Sequence, residues 1–198
     1  MEHGQQGCGC AKPQENISNI GSFSSCGQTQ FVGAGEEPRT ADAKIDFVYP
    51  PVVFPSNKIL KTFGEEAIRN MVFHHHSMLK KSSIGDMFPA DEKEFLEGTQ
   101  KTADFFVEAL GGGDIFSSKH GHPALRGRHF RFTIDEKGRE IWLMMYKKTL
   151  RDIEFPKELL EEFWNWIEPL SIRMINRRTT AVPPQRFTFE SIKSEFGL

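Results

Sequence analysis

Between about residues 60 and 178, the apolar residues recur with the period of an α-helix. Ile68, Met71, Val72, His75 and Leu79 fall at i, i+3, i+4, i+7 and i+11, one face of a first helix. Phe95, Leu96, Phe105, Phe106, Ala109 and Leu110 mark a second. Asp91 can cap it, with Glu94 three residues on, and Gly111-Gly112-Gly113 ends it. Thr133 and Glu136 have capping-box spacing before a third helix carrying Ile141, Trp142, Met145, Tyr146 and Leu150. Pro156 suits the first turn of a fourth, whose stripe is Leu159, Leu160, Phe163, Ile167, Leu170, Met174 and Ile175. Pro169 is expected to interrupt and kink it. His129 to Ile134 alternates too briefly for a strand. The expectation is an all-α domain of four helices, each roughly 15 to 20 residues long, with an irregular stretch over 111–132.

The flanks follow another pattern. Residues 1–44 are rich in Gly, Ser and Gln and carry Cys8, Cys10 and Cys26. Such a segment buries too little apolar surface to offset its ordering entropy, and is expected to be disordered. Residues 45–59 include Tyr49-Pro50-Pro51-Val52-Val53-Phe54-Pro55, an extended arm expected to lie against the domain. Residues 179–198 read as a C-terminal extension with one amphipathic turn at Phe189 to Phe196.

Composition narrows the function classes. Lys and Arg number 25 against 27 Asp and Glu, so no basic footprint argues for nucleic acid. No run of about 18 apolar residues could span a membrane. The start, MEHGQQGCGC, has no apolar core of a signal peptide, and a reduced cytoplasmic setting is expected. Eighteen Phe against two Tyr suggest a Phe-lined interior with few phenolic hydroxyls.

The stretch from Gly111 to His129 holds three of the seven histidines, with Arg126 and Arg128, between apolar helices. A neutral imidazole is a good iron or zinc ligand, and arginine pairs bidentately with carboxylates. Heme has matching needs: an axial imidazole, neutralised propionates and a buried flat apolar face.

The motif Gly121-His122-Pro123-x-Leu125-Arg126-x-Arg128-His129, then Phe132 and Ile134, then Trp142-Leu143, resembles the truncated hemoglobins, and group II in particular. Gly111-Gly112, Gly64-Glu65-Glu66-Ala67-Ile68-Arg69 and Phe88-Pro89 fit the same pattern. The resemblance spans roughly residues 60–178 and implies a two-over-two helical globin sandwich, here flanked by extended N- and C-terminal arms. It implies heme b, with His129 as the proximal iron ligand. Arg128, and less directly Arg126, would sit near a propionate. Phe88 would pack on the porphyrin, and Phe105 and Phe106 would form part of the heme wall. Trp142 would direct its indole N–H at the iron-bound ligand, with Gly98 and Thr102 lining the same side.

One departure stands out. The family's first helix usually ends in Phe-Tyr, and the aligned pair here is His75-His76, within His74-His75-His76. At about 100° per residue, His75 points at the core, His76 borders it and His74 faces outward. His75 is expected to be a buried histidine bonded to a carbonyl. His76 takes the tyrosine's place, either on the iron or, as the favoured role, as a donor to bound oxygen or an acid–base group titrating near pH 6 to 7.

The implied function is binding of dioxygen or another diatomic ligand, with nitric oxide dioxygenation or peroxidase-like chemistry open. No GxGxxG fingerprint occurs, so electrons would come from an external reductase. Two other readings remain: a metal-handling protein using the N-terminal cysteines and histidine clusters, with His120 and His122 as a pair, or a heme-less globin-like sensor or adaptor.

Overall fold

A computed structural model describes residues 48–198. The expectations for 1–44, for its cysteines and for the first three residues of the arm lie outside the described residues.

Eight helices and two 3-10 turns occur among the described residues, and no strand. The helices are α1 (Lys58–Phe63), α2 (Glu65–Lys80), α3 (Glu92–Ala109), α4 (Ser117–His120), α5 (Leu125–His129), α6 (Glu136–Asp152), α7 (Lys157–Met174) and α8 (Phe189–Ile192). The four long ones, α2, α3, α6 and α7, are those the periodicity predicts. α2 packs on α3 and on α6, and α6 packs on α7, giving two layered pairs. The α2 stripe is buried as read: Ile68, Met71, Val72, His75 and Leu79. Between the layers lies an aromatic core in which Phe106 and Phe163 meet each other and both Tyr146 and Trp166 at 5.1–6.4 Å.

Local chemistry sets the ends. The Asp91 side chain accepts from the Glu94 N–H at 2.8 Å, as predicted. Gly111 then turns the chain at φ 94°, in the left-handed region that a side chain disfavours. The start of α6 differs from expectation. Asp135, not Thr133, caps it by accepting from the Gly138 N–H at 2.7 Å. Glu136 instead accepts from the Thr179 N–H and hydroxyl, tying down the C-terminal extension. Pro169 does not interrupt α7, which runs on to Met174 with Ser171 and Ile172 buried beyond the proline. Packing of that last turn compensates for the missing N–H.

The stretch expected to be irregular contains two single-turn helices, α4 and α5. Glu108 organises the first by accepting from the backbone N–H groups of Phe116 and Ser117, each at 2.8 Å, and from the Ser117 hydroxyl.

Both arms dock. Phe54 packs on Trp166, Arg173 donates to the Pro50 carbonyl, and the Ser56 N–H donates to Glu162. In the C-terminal extension, Phe189 and Ile192 are buried, and Trp164 donates to the Phe187 carbonyl at 2.6 Å. Glu168, 1% exposed, accepts from Arg139, Arg186 and the Phe187 N–H.

Candidate functional site

His129 ends α5. Its Nδ1–H donates to the Leu125 carbonyl, one turn back, at 2.6 Å. The carbonyl can only accept, so this bond fixes the neutral tautomer and leaves Nε2 as a bare lone pair. That nitrogen makes no hydrogen bond among the described residues. Burial lowers the basicity of the ring, and the charge of Arg131 adds to the effect, so the lone pair stays available at neutral pH.

The segment carrying His129 is held from the end of α7. Arg126 donates to the carbonyls of Arg173 and Ile175, at the carbonyl-rich C-terminus of that helix. The Asn176 amide donates to the carbonyls of His129 and Phe132, both at 2.9 Å, and its oxygen accepts from the Ile134 N–H. Arg128 donates to the carbonyls of His120, His122 and Pro123, and His122 Nδ1 accepts from the Ala124 N–H. These contacts stabilise the loop, with Ala124 in the left-handed region at φ 39°.

Arg126 and Arg128, expected near a propionate, both donate to backbone carbonyls. Arg131 lies over the Phe132 ring, close enough to His129 to depress its basicity, and carries no hydrogen bond or ion pair among the described residues. Nothing in the motif singled it out. Asn176 was also missed, because its role depends on a contact across 47 residues. Phe105 and Phe106 are core residues: their ring neighbours are each other, Phe116, Tyr146, Phe163 and Trp166.

The three consecutive histidines separate as the helix period requires. His74 is 40% exposed and reaches Asp152 at 3.0 Å. His75 is fully buried and donates from Nε2 to the Trp142 carbonyl at 3.1 Å. Its ring lies 3.6 Å from Tyr146, and burial pushes its pKa well below the usual value. His76 is half-buried. Its Nδ1–H donates to the Val72 carbonyl at 2.9 Å, and Nε2 has no partner among the described residues. Burial pushes its pKa to about 4, against the Val72 bond, and repulsion from His129 adds to the fall. The two rings are therefore within electrostatic reach of each other. Titration near pH 6 to 7 is not what this environment gives. In the tautomer that bonds to Val72, the one ring proton is taken up by that carbonyl.

Trp142 meets the edge of His75 at 5.2 Å and Tyr146 at 4.4 Å. Its indole N–H has no hydrogen bond among the described residues. Phe88 stands edge-on to His76 at 5.8 Å. On α3, Gly98 faces open space, with nothing within 4 Å of where a Cβ would stand, and Thr102 bonds back to the Gly98 carbonyl. No cluster of three or more His, Cys, Asp or Glu suited to a metal ion occurs among the described residues. Among the described residues, no helix is long and apolar enough to cross a membrane.

The sequence pattern of the bacterial-like globins matches residues 61–176. The chain belongs to that family. It is 28% identical over 122 residues to the group 2 truncated hemoglobin YjbI of Bacillus subtilis, covering 61% of this chain and 90% of that protein. Among solved structures, the phosphate-bound Hell's gate globin IV is 48% identical with a TM-score of 0.76, covering 80% of this chain and 99% of that one. That coverage exceeds residues 61–176, so it takes in part of the flanking segments. The group II truncated hemoglobin of Bacillus anthracis is 28% identical with a TM-score of 0.56, covering 61% and 98%. The fold is the two-on-two globin sandwich.

Membership implies a heme cofactor, and the residues present suit one. A bare imidazole nitrogen on a clamped segment, an unpartnered indole donor, the Phe88 ring and the open surface of Gly98 are what an iron porphyrin requires.

Proposed function

We propose that this globin holds heme b through His129 Nε2 and binds dioxygen or another diatomic ligand on the side of Trp142 and His76. The observation that carries this reading is the Nδ1–H bond from His129 to Leu125 on a segment clamped by Arg126 and Asn176. A ligating histidine works best when its second nitrogen is oriented by an acceptor, which fixes the tautomer and raises ligand strength. Heme, when bound, supplies the iron on which the gas binds. Trp142 contributes an N–H toward negative charge on the ligand, and a donor in a dry site needs no reorganisation to act. Phe88 and the open α3 surface around Gly98 and Thr102 would face the porphyrin. Arg131, and the remaining donors of Arg128, are the cations a propionate would meet. Reaction with nitric oxide or peroxide would draw electrons from a separate reductase.

The absorbance spectrum in ferric, ferrous and carbonmonoxy states tests this reading. The expected result is a Soret band that shifts on reduction and again with carbon monoxide. His129→Ala should yield protein with little heme, or heme lost readily to apomyoglobin. A colourless wild-type protein, or a His129→Ala variant with wild-type heme content, refutes the assignment.

A further inference from the structure

We propose that the cationic face around the His129 segment is the docking surface for an acidic one-electron donor protein. The inference rests on the heme reading above and names the kind of partner that supplies its electrons.

Two stretches of the chain are free of acidic residues. Residues 115–134 hold Lys119, Arg126, Arg128 and Arg131, and residues 169–189 hold Arg173, Arg177, Arg178 and Arg186, with no Asp or Glu in either. The chain as a whole leans the other way, with 25 Lys and Arg against 27 Asp and Glu. The fold brings the two stretches together. Arg126 donates to the carbonyls of Arg173 and Ile175, the Asn176 amide donates to those of His129 and Phe132, and the backbone N–H groups of Asn176 and Arg177 both donate to that of Ile134. Carboxylates from elsewhere reach three of the cations: Asp104 meets Lys119, Glu136 meets Arg178, and Glu168 meets Arg186. The other five have no carboxylate partner among the described residues. Arg126, Arg128 and Arg173 donate to carbonyls, which leave the charge of the guanidinium in place. Arg131 and Arg177 are exposed, and their side chains hold no hydrogen bond or ion pair among the described residues.

An excess of one sign on one face draws a partner of the opposite sign and steers its approach. A heme held at His129 brings two propionates, which offset at most two of the five charges. The position of the face then selects the partner. His129 lies within it, between Arg128 and Arg131, with its carbonyl held by Asn176. A donor docked here stands beside the segment that carries the axial imidazole. Nucleic acid or an anionic membrane would feel the same charge, but neither gains from a heme at its centre. In the transfer, one electron leaves the partner's reduced cofactor and takes the bound heme from ferric to ferrous; no bond to this chain forms or breaks. Redox encounters use small, weak interfaces. Exposed charges suit them, since they raise the rate of association more than the lifetime of the complex.

The test is stopped-flow reduction of the heme-loaded full chain from its ferric state, with carbon monoxide present to trap the ferrous product. Reduced flavodoxin is the acidic probe and the methyl viologen radical the cationic one. Raising salt from about 10 to 150 mM shortens the screening length from roughly 30 to 8 Å. The flavodoxin rate should then fall about 10-fold, while the viologen rate should rise. Arg177→Glu changes the face by two charges. Against one facing carboxylate about 10 Å away, this should slow flavodoxin about 4-fold at low salt and speed viologen. Arg177→Lys should behave as wild type. Lys157→Glu makes the same change in net charge at the other end of the 18-residue α7, about 25 Å away, and should leave both rates within a small factor. Independently of reduction, amide NMR with oxidised flavodoxin should show shifts gathered at residues 126–131 and 176–178. A flavodoxin rate indifferent to salt, or slowed equally by Lys157→Glu, overturns the proposal while the heme reading stands. So does retention on phosphatidylserine vesicles or duplex DNA that flavodoxin fails to displace. Absence of a Soret band in the wild type brings down the heme reading and this proposal with it.

Discussion

Replacing Trp142 by Phe removes one N–H from the site and changes little else. The ring remains between His75 and Tyr146, which meet the indole at 5.2 and 4.4 Å. The indole N–H has no acceptor among the described residues, so the substitution strands no buried carbonyl and its cost falls on the ligand. Bound dioxygen in a ferrous heme carries partial negative charge, and a hydrogen bond to a charged group is worth about 1.5–3 kcal/mol. At about 1.4 kcal/mol per decade, dioxygen should leave roughly 10- to 100-fold faster. His76 cannot offset the loss, because its one ring proton is bound to Val72. This makes the expected effect larger than in a site with two donors. The assay is displacement of dioxygen by carbon monoxide from the ferrous protein, followed by stopped flow. Carbon monoxide, being less polarised, should show a smaller change in its own release. An unchanged dioxygen off-rate would refute the reasoning by showing that the indole N–H points elsewhere. A slower one would show that water entry or a second donor governs release.

Two further outcomes concern stability. Glu168→Ala leaves the guanidinium of Arg139, 3% exposed, without its carboxylate and frees Arg186 and the Phe187 N–H; breaking such a buried pair should cost about 3–5 kcal/mol, read from urea unfolding, with faster proteolysis of the C-terminal extension, and a loss too small to measure would mean the extension docks by apolar contacts alone. His75 has a folded pKa well below that of the unfolded chain, so the unfolded state binds the extra proton as pH falls below about 6.5, and stability of the heme-free protein should drop from there by up to ~1.4 kcal/mol per pH unit. His75→Phe should flatten that limb of the stability profile, and an equally steep profile in the variant would assign it to other groups.

The long helices were legible because their apolar residues face one core and repeat every turn, so local pattern and tertiary burial agree for Ile68 through Leu79 and for Leu159 through Ile172. The start of α6 was misread by two residues because Thr133 and Asp135 are both good caps, and only the path of the chain decides between them. The orientation of His74, His75 and His76 followed from the helix period. The clamps around His129 did not. Arg126 reads as a cation awaiting an anion, and only the approach of the α7 C-terminus shows that its partners are carbonyls. Asn176 has no signature at all, since any polar residue ends a helix comfortably. Long-range backbone contacts carry no local pattern, and the site is held mainly by these.

The two imidazoles proposed for the heme site share one local device. In a helix, long side chains lean back toward the preceding turn, and in both His76 and His129 this brings Nδ1 to the carbonyl four residues earlier. The consequence differs with the role. For His129, a bare Nε2 is what an iron ligand must present. For His76, the same bare nitrogen reverses the polarity that a tyrosine donor would have brought to the ligand. Where the family pattern leads one to expect a tyrosine, His76 brings an imidazole, which by itself leaves donor, acceptor and metal ligand all open. The bond to the helix backbone takes up the Nδ1 proton and weighs against the first of these. Substitution of a polar residue in a binding site thus has a sign that depends on what its other polar atom is already doing.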